Sequence, residues 1–200
     1  MADPRADRPS PSGNKEAPFV SVLDLERGEL VDRIEVPGSE GLAVSPDGRQ
    51  LVVAAPKVDF GRPLKAAPGL RVIDTATGRV ERTLPVGGPV FPVHTTTKGL
   101  ILAGELRMDT SEHSALGAQL PGTLSVFDPH GYELLGRVEV GRFPLTITSS
   151  PDGERAYVAN VSSSTVTVVD LNRLEAVAEL TVARTGEPGA HGLAYLPAAR

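Results

Sequence analysis

The apolar residues of this chain come in short runs, each cut off by a polar turn. The stretch from Leu145 to Val182 shows the pattern whole: LTITS, the turn SPDG, RAYVAN, VSSS, TVTVVDL, NRL and EAVAELTV. The runs are too short for helices and too rich in β-branched residues, so they predict four antiparallel strands joined by tight turns. In SPDG the proline presets φ at the first central turn position and the glycine supplies a permissive backbone. Two kinds of strand can be told apart. Leu51–Ala55 and Leu100–Ala103 are apolar without alternation, which predicts burial on both faces. Residues 29–36 and 79–86 mix charges into the run, which suits an exposed outer edge that must not pair with another chain.

The pattern repeats. Asp24, Asp74, Asp128 and Asp170 each close a β-run and open a polar turn, in VLDLERG, VIDTATG, VFDPHGY and VVDLNRL. SPDG occurs at Ser45–Gly48 and Ser150–Gly153, with TTKG at Thr96–Gly99 as a degenerate copy. A repeat of about 40 to 50 residues built from short strands is the mark of β-propeller blades. The expected fold is therefore all-β: a propeller of about four blades, each of four antiparallel strands. Three complete blades are expected at about 42–86, 92–140 and 145–182. A partial blade is shared between residues 18–36, as third and fourth strands, and residues 192–197, as first strand; its second strand is missing. This leaves three arrangements open: a tight four-bladed ring, half of a ring completed by a second copy, or part of a longer protein.

SPDG followed by AYVAN (Ala156–Asn160) and TVTVVDL resembles the YVTN-type β-propeller repeat. The last blade matches best. The blade at 42–86 has VVAA where the family has Tyr-Val-x-Asn, and the blade at 92–140 keeps mainly VFD. The resemblance covers roughly residues 18–197 and is specific for fold. It implies a bacterial or archaeal protein, often extracytoplasmic. It also implies relatives that include surface and binding proteins, amine-dehydrogenase subunits and streptogramin-lyase-like enzymes. Family members are mostly seven-bladed, and this chain is too short for that from one copy.

Composition narrows the function classes. The formal charge is −5, so nucleic acid and anionic membranes are not favoured partners. No cysteine is present, which excludes disulfides, thiolate metal sites and a cysteine nucleophile. No run is long enough to span a membrane as a helix. Residues 1–17, polar and rich in proline and serine, read as a disordered tail or linker ahead of the propeller domain at 18–200. They lack the apolar core of a signal peptide, so the compartment is cytoplasmic if Met1 is the native start and extracytoplasmic if a signal was removed.

Blade geometry sorts the loops. The long connections PKVDFGRPLKAAPG (56–69), ELRMDTSEHSALGAQLPG (105–122) and TVARTGEPGAHG (181–192) all fall on one face, opposite the SPDG turns. One-sided insertions predict a binding surface. Glu40, Phe91, Leu145 and His191 occupy equivalent places at the mouth of the innermost strands, where they would rim a central channel. His94 lies within such a strand. Arg142, Arg107 and His113 belong to the long-loop face, among Glu105, Asp109 and Glu187 in a mixed charged surface. No spacing matches a metal motif, a nucleophile elbow or a phosphate loop. The leading expectation is a non-catalytic protein that binds a protein or small ligand through Glu40, Phe91, His94, Arg142, His191, Arg107 and His113. No cofactor is expected, and a homodimer is one way to complete the ring. The alternative is the propeller unit of a lyase-like or redox metalloenzyme, with His191, His94 or His113 at a channel metal.

Overall fold

A computed structural model describes residues 10–14, 17–57, 67–109, 119–182 and 189–196. The described residues are all-β and form four antiparallel sheets arranged as propeller blades. The first blade holds β1 (Ser10–Ser12), β2 (Phe19–Asp24) and β3 (Glu29–Glu35). The second holds β4 (Leu42–Val44), β5 (Gln50–Ala55), β6 (Gly69–Asp74) and β7 (Arg79–Pro85). The third holds β8 (Val90–Thr95), β9 (Ile101–Met108), β10 (Gln119–Phe127) and β11 (Leu134–Arg142). The fourth holds β12 (Pro144–Ser149), β13 (Arg155–Asn160), β14 (Thr165–Asp170) and β15 (Glu175–Thr181). Within each blade every strand pairs with its chain neighbour.

Alternation along the strands explains how the blades stack. Leu51, Val53 and Ala55 turn one way and pack with Val20, Ile34 and Val36 of the first blade. Val52 and Ala54 turn the other way and pack with Val93, Ile101 and Ala103 of the third. Leu102, Leu124 and Val138 face the fourth blade and meet Ile147, Val158 and Val169. Each core cluster thus belongs to one seam between consecutive blades. The double burial expected for Leu51–Ala55 is met, with all five side chains buried. Outer strands β3, β7 and β15 are mostly exposed, as their charges predict.

The turns obey one rule. The residue four after each repeat aspartate has positive φ: Gly28 (66°), Gly78 (65°), Tyr132 (60°) and Leu174 (53°). Each aspartate carboxylate accepts backbone N–H groups inside its turn, as Asp24 does from Arg27 at 2.9 Å and Asp170 from Arg173 at 3.0 Å. Tyr132 and Leu174 carry the left-handed strain because their side chains pack onto the core clusters beside them.

Two expectations about the first blade change. Residues 10–12, expected in a disordered tail, form β1. Ser12 pairs with Ser21 as Val158 pairs with Thr167, so β1 is the second strand thought to be missing. Asn14 pins it: its side-chain amide donates to Ser21 Oγ at 3.0 Å and Phe19 O at 3.1 Å, and its N–H to Ser39 Oγ at 2.7 Å. These bonds offset the entropy of ordering a polar segment. Residues 192–196, expected as a first strand, carry no strand pairing; they lie against the fourth blade, where Thr146 Oγ1 donates to His191 O. Among the described residues no pairing joins the first sheet to the fourth.

Candidate functional site

The channel-rim candidates lie on or beside the innermost strands; Phe91 and His94 link neighbouring blades, whereas Glu40 bonds within its own blade. Glu40 donates its N–H to Ala54 O at 2.9 Å. Phe91 on β8 is buried, meets Phe143 edge to face at 5.1 Å, and accepts the Gly41 N–H at its carbonyl. His94 Nε2 lies 2.9 Å from Ser149 Oγ on β12, bridging two blades, and burial pushes its pKa down. His191 is exposed and linked to Thr146 through its backbone. Phe91 and His94 share β8, while Glu40 and His191 come from two other places along the chain. His113 lies outside the described residues. Among the latter, no group of three His, Asp or Glu side chains is placed to hold a metal ion.

The two arginines tell another story. Arg142 ends β11 and Arg107 lies near the end of β9, and both flank a cleft of about 700 Å³ at the seam of the third and fourth blades. Its walls come from Gln119–Pro121, from Glu139–Arg142 and from Thr167 and Ala176–Glu179 on the neighbouring blade, with Ser163 at the end. It opens on the long-loop side. Arg107 reaches Glu139 Oε2 at 3.4 Å and Pro121 O at 3.3 Å, so it braces the wall. Arg142 donates its N–H to Ser163 Oγ at 2.7 Å while its side chain stays exposed.

Sequence reasoning missed the polar groups behind these arginines. Gln119 is only 5% exposed; its Oε1 accepts from Ser162 Oγ at 2.7 Å, and its Nε2 is buried with no partner. Asn160, the asparagine of YVAN, is fully buried. Its Nδ2 donates to Thr167 Oγ1 at 2.8 Å and Thr165 Oγ1 at 3.2 Å, and its Oδ1 is unpartnered. Gly141 passes in front of it so closely that a Cβ there would sit 2.7 Å from the Asn160 side chain. A buried amide with an open donor is costly unless something completes it. The cleft is thus lined by Arg142, Ser163 and Thr167, with the unpartnered Gln119 amide nitrogen buried just beneath its wall, a polar set suited to a ligand rich in hydrogen-bond acceptors.

The loop reading of Glu105 also changes. It belongs to β9, is 3% exposed, and sits in the seam of the second and third blades. Its carboxylate accepts from Gly87 N–H at 2.7 Å and from Ser125 Oγ, with Arg137 Nε at 3.8 Å. Register was the available signal: Glu105 opposes Thr123 as Asn160 opposes Thr165.

No family model and no curated protein matches the sequence. Among solved structures the chain is similar to hydrazine synthase of Kuenenia stuttgartiensis, with a TM-score of 0.70 at 18% identity. The match covers 88% of this chain and 47% of that one, so this chain spans about half the length of its structural neighbour. A likeness at that identity shows the fold alone.

Proposed function

We propose that the chain is a non-catalytic β-propeller binding protein. Its ligand sits in the cleft between the third and fourth blades and presents a carboxylate or similar acceptor to the Arg142 guanidinium and to Gln119 Nε2, which the Gln119 side chain turns out of its buried position to offer. The observation that carries this reading is the buried, unpartnered Gln119 amide on the wall of an open cleft. The hydroxyls of Ser163 and Thr167 supply secondary contacts, and the Arg107–Glu139 pair holds the rim. The site involves no nucleophile. It recognises by hydrogen bonding in a partly shielded groove, where an ionised acceptor strengthens each bond.

The test is a titration of isotopically labelled full-length protein with acetate, succinate and glutamate, followed by amide and side-chain NH₂ resonances. Movement of the Gln119 NH₂ and of the Arg142 and Ser163 amides, lost in a folded Gln119→Leu variant, is expected. Shifts confined to the SPDG-turn face or to the axis, or none at all, would overturn the assignment.

A further inference from the structure

The outer strands of the third and fourth blades hold opposite charges at one register. Ser125 on β10 pairs with Arg137; Thr167 on β14, which stands before Asp170 as Ser125 stands before Asp128, pairs with Glu179. In the third blade the Arg137 Nε lies 3.8 Å from the buried Glu105 carboxylate, so the two charges answer each other. In the fourth blade the residue equivalent to Glu105 is the neutral Asn160, and the residue equivalent to Arg137 is itself a carboxylate. Glu179 therefore meets no counter-charge at that position. It lines the cleft between the two blades instead, as Arg142 does. Among the described residues neither the Glu179 carboxylate nor the Arg142 guanidinium is taken by a hydrogen bond or an ion pair, and the two do not pair with each other.

The cleft thus carries a cation on its third-blade wall and an anion on its fourth-blade wall. Each wall also has an apolar stretch: Leu120, Pro121 and Val140 on one side, Ala176 to Ala178 on the other. Leu120 and Val177 are 37% and 45% exposed, so this apolar surface is open to a ligand. The cleft's other carboxylate, Glu139, already faces Arg107 at 3.4 Å. Glu179 is the acidic group left over. Its register matches Arg137, whereas Arg142 lies at the far end of β11. The two open charges therefore stand at different heights along the strands, and a ligand that touches both must hold its own charges apart.

We propose that the ligand of this cleft is a zwitterion with an apolar stem, its carboxylate at Arg142 and Gln119 and its ammonium at Glu179. The inference rests on the carboxylate-binding reading of the same cleft and adds the ligand's second charged end. A simple carboxylate gains Arg142 but brings negative charge towards Glu179, and a simple amine meets the reverse conflict. A ligand with both groups satisfies the two walls at once. Its ammonium donates to the Glu179 carboxylate in a charge-assisted bond, and its stem covers the apolar stretch between. An ω-amino acid and a short peptide with free ends share this chemistry, and a cleft of about 700 Å³ admits either.

The test titrates isotopically labelled full-length protein with two matched pairs of compounds. One pair is 6-aminohexanoate and hexanoate; the other is trialanine and N-acetyl-trialanine. The second member of each pair lacks the ammonium. At least one zwitterion should bind about fivefold more tightly than its partner, the size expected of an ion pair in a partly shielded groove. The pair that shows the preference tells an amino acid from a peptide. Glu179→Gln, on an exposed strand face, should bring that pair level. The zwitterion is overturned if hexanoate and N-acetyl-trialanine bind as tightly as their partners while still moving the Gln119 NH₂ and Arg142 resonances; the carboxylate site then stands by itself. A preference that survives Glu179→Gln overturns it as well. If none of the four compounds moves those resonances, the carboxylate reading falls and the zwitterion falls with it.

Discussion

Glu105 and Asn160 occupy the same place in successive blades, and the two seams they serve are finished differently. In the seam of the second and third blades the carboxylate is closed on every side, by the Gly87 N–H, by Ser125 and by Arg137. In the seam of the third and fourth, Gly141 stands where Gly87 does, but its N–H meets Thr167 Oγ1 at a long 3.4 Å, and the Asn160 carbonyl oxygen is left without a partner. In the remaining seam the position is Ala55, and the polar burden falls on Arg71, whose pKa burial lowers. One fold position therefore carries a charge, an amide or a methyl, and the amide seam opens beside the cleft of about 700 Å³. A carboxylate that saturates its own neighbourhood locks a seam; an amide leaves valence for something else.

The comparison can be broken most sharply at Glu105. Glu105→Ala removes a buried ion that holds a loop N–H and a hydroxyl, and should lower unfolding free energy by about 3 kcal/mol in urea titrations. Asn160→Ala loses two neutral bonds to threonines and should cost about 1.5 kcal/mol by the same assay. Equal losses for the two would erase the distinction between a locked and an open seam. Arg137→Ala separates charge from hydrogen bonding: the guanidinium is half-exposed and 3.8 Å away, so the loss should stay near 0.5 kcal/mol. A loss as large as that of Glu105→Ala would make the ion pair, rather than the Gly87 bond, the lock.

The smallest effect concerns pH. Burial lowers the His94 pKa below the ordinary histidine value of 6.5, so the unfolded chain binds a proton there before the folded one does. The stability this group contributes is full above pH 6.5 and falls as pH drops from there through the folded value, then levels off. His94→Gln should flatten the melting temperature between pH 7.5 and 5.5 by a degree or two relative to the parent chain. A slope unchanged by the substitution would place the titrating group elsewhere.

The sequence made the blades legible because their signals are local. SPDG, the repeat aspartates and the doubly apolar LVVAA run each impose a backbone or burial requirement that no other residue shares. The first blade's second strand was hidden because SPS has neither β-branched residues nor alternation; only Asn14, standing before Asp24 as Asn160 stands before Asp170, marks it. Glu105 was hidden because a charged residue next to Arg107 and Asp109 looks like a loop, and only cross-strand register shows it facing inward. Tyr132 and Leu174 were hidden for the opposite reason: a left-handed turn position suggests glycine, and packing overrode it. The cleft needs two blades to exist, so no single motif announces it.

Because each seam binds only consecutive blades, the order of the molecule is transmitted like a row of stacked plates. Such a stack loses structure from its ends inward, each lost blade exposing the next seam rather than toppling the whole. Backbone amides of β5, β6, β9 and β10, with a neighbour on either side, should therefore be the slowest to exchange with deuterium, and those of β1 to β3 among the fastest. Covering both ends at once would remove the places where fraying begins.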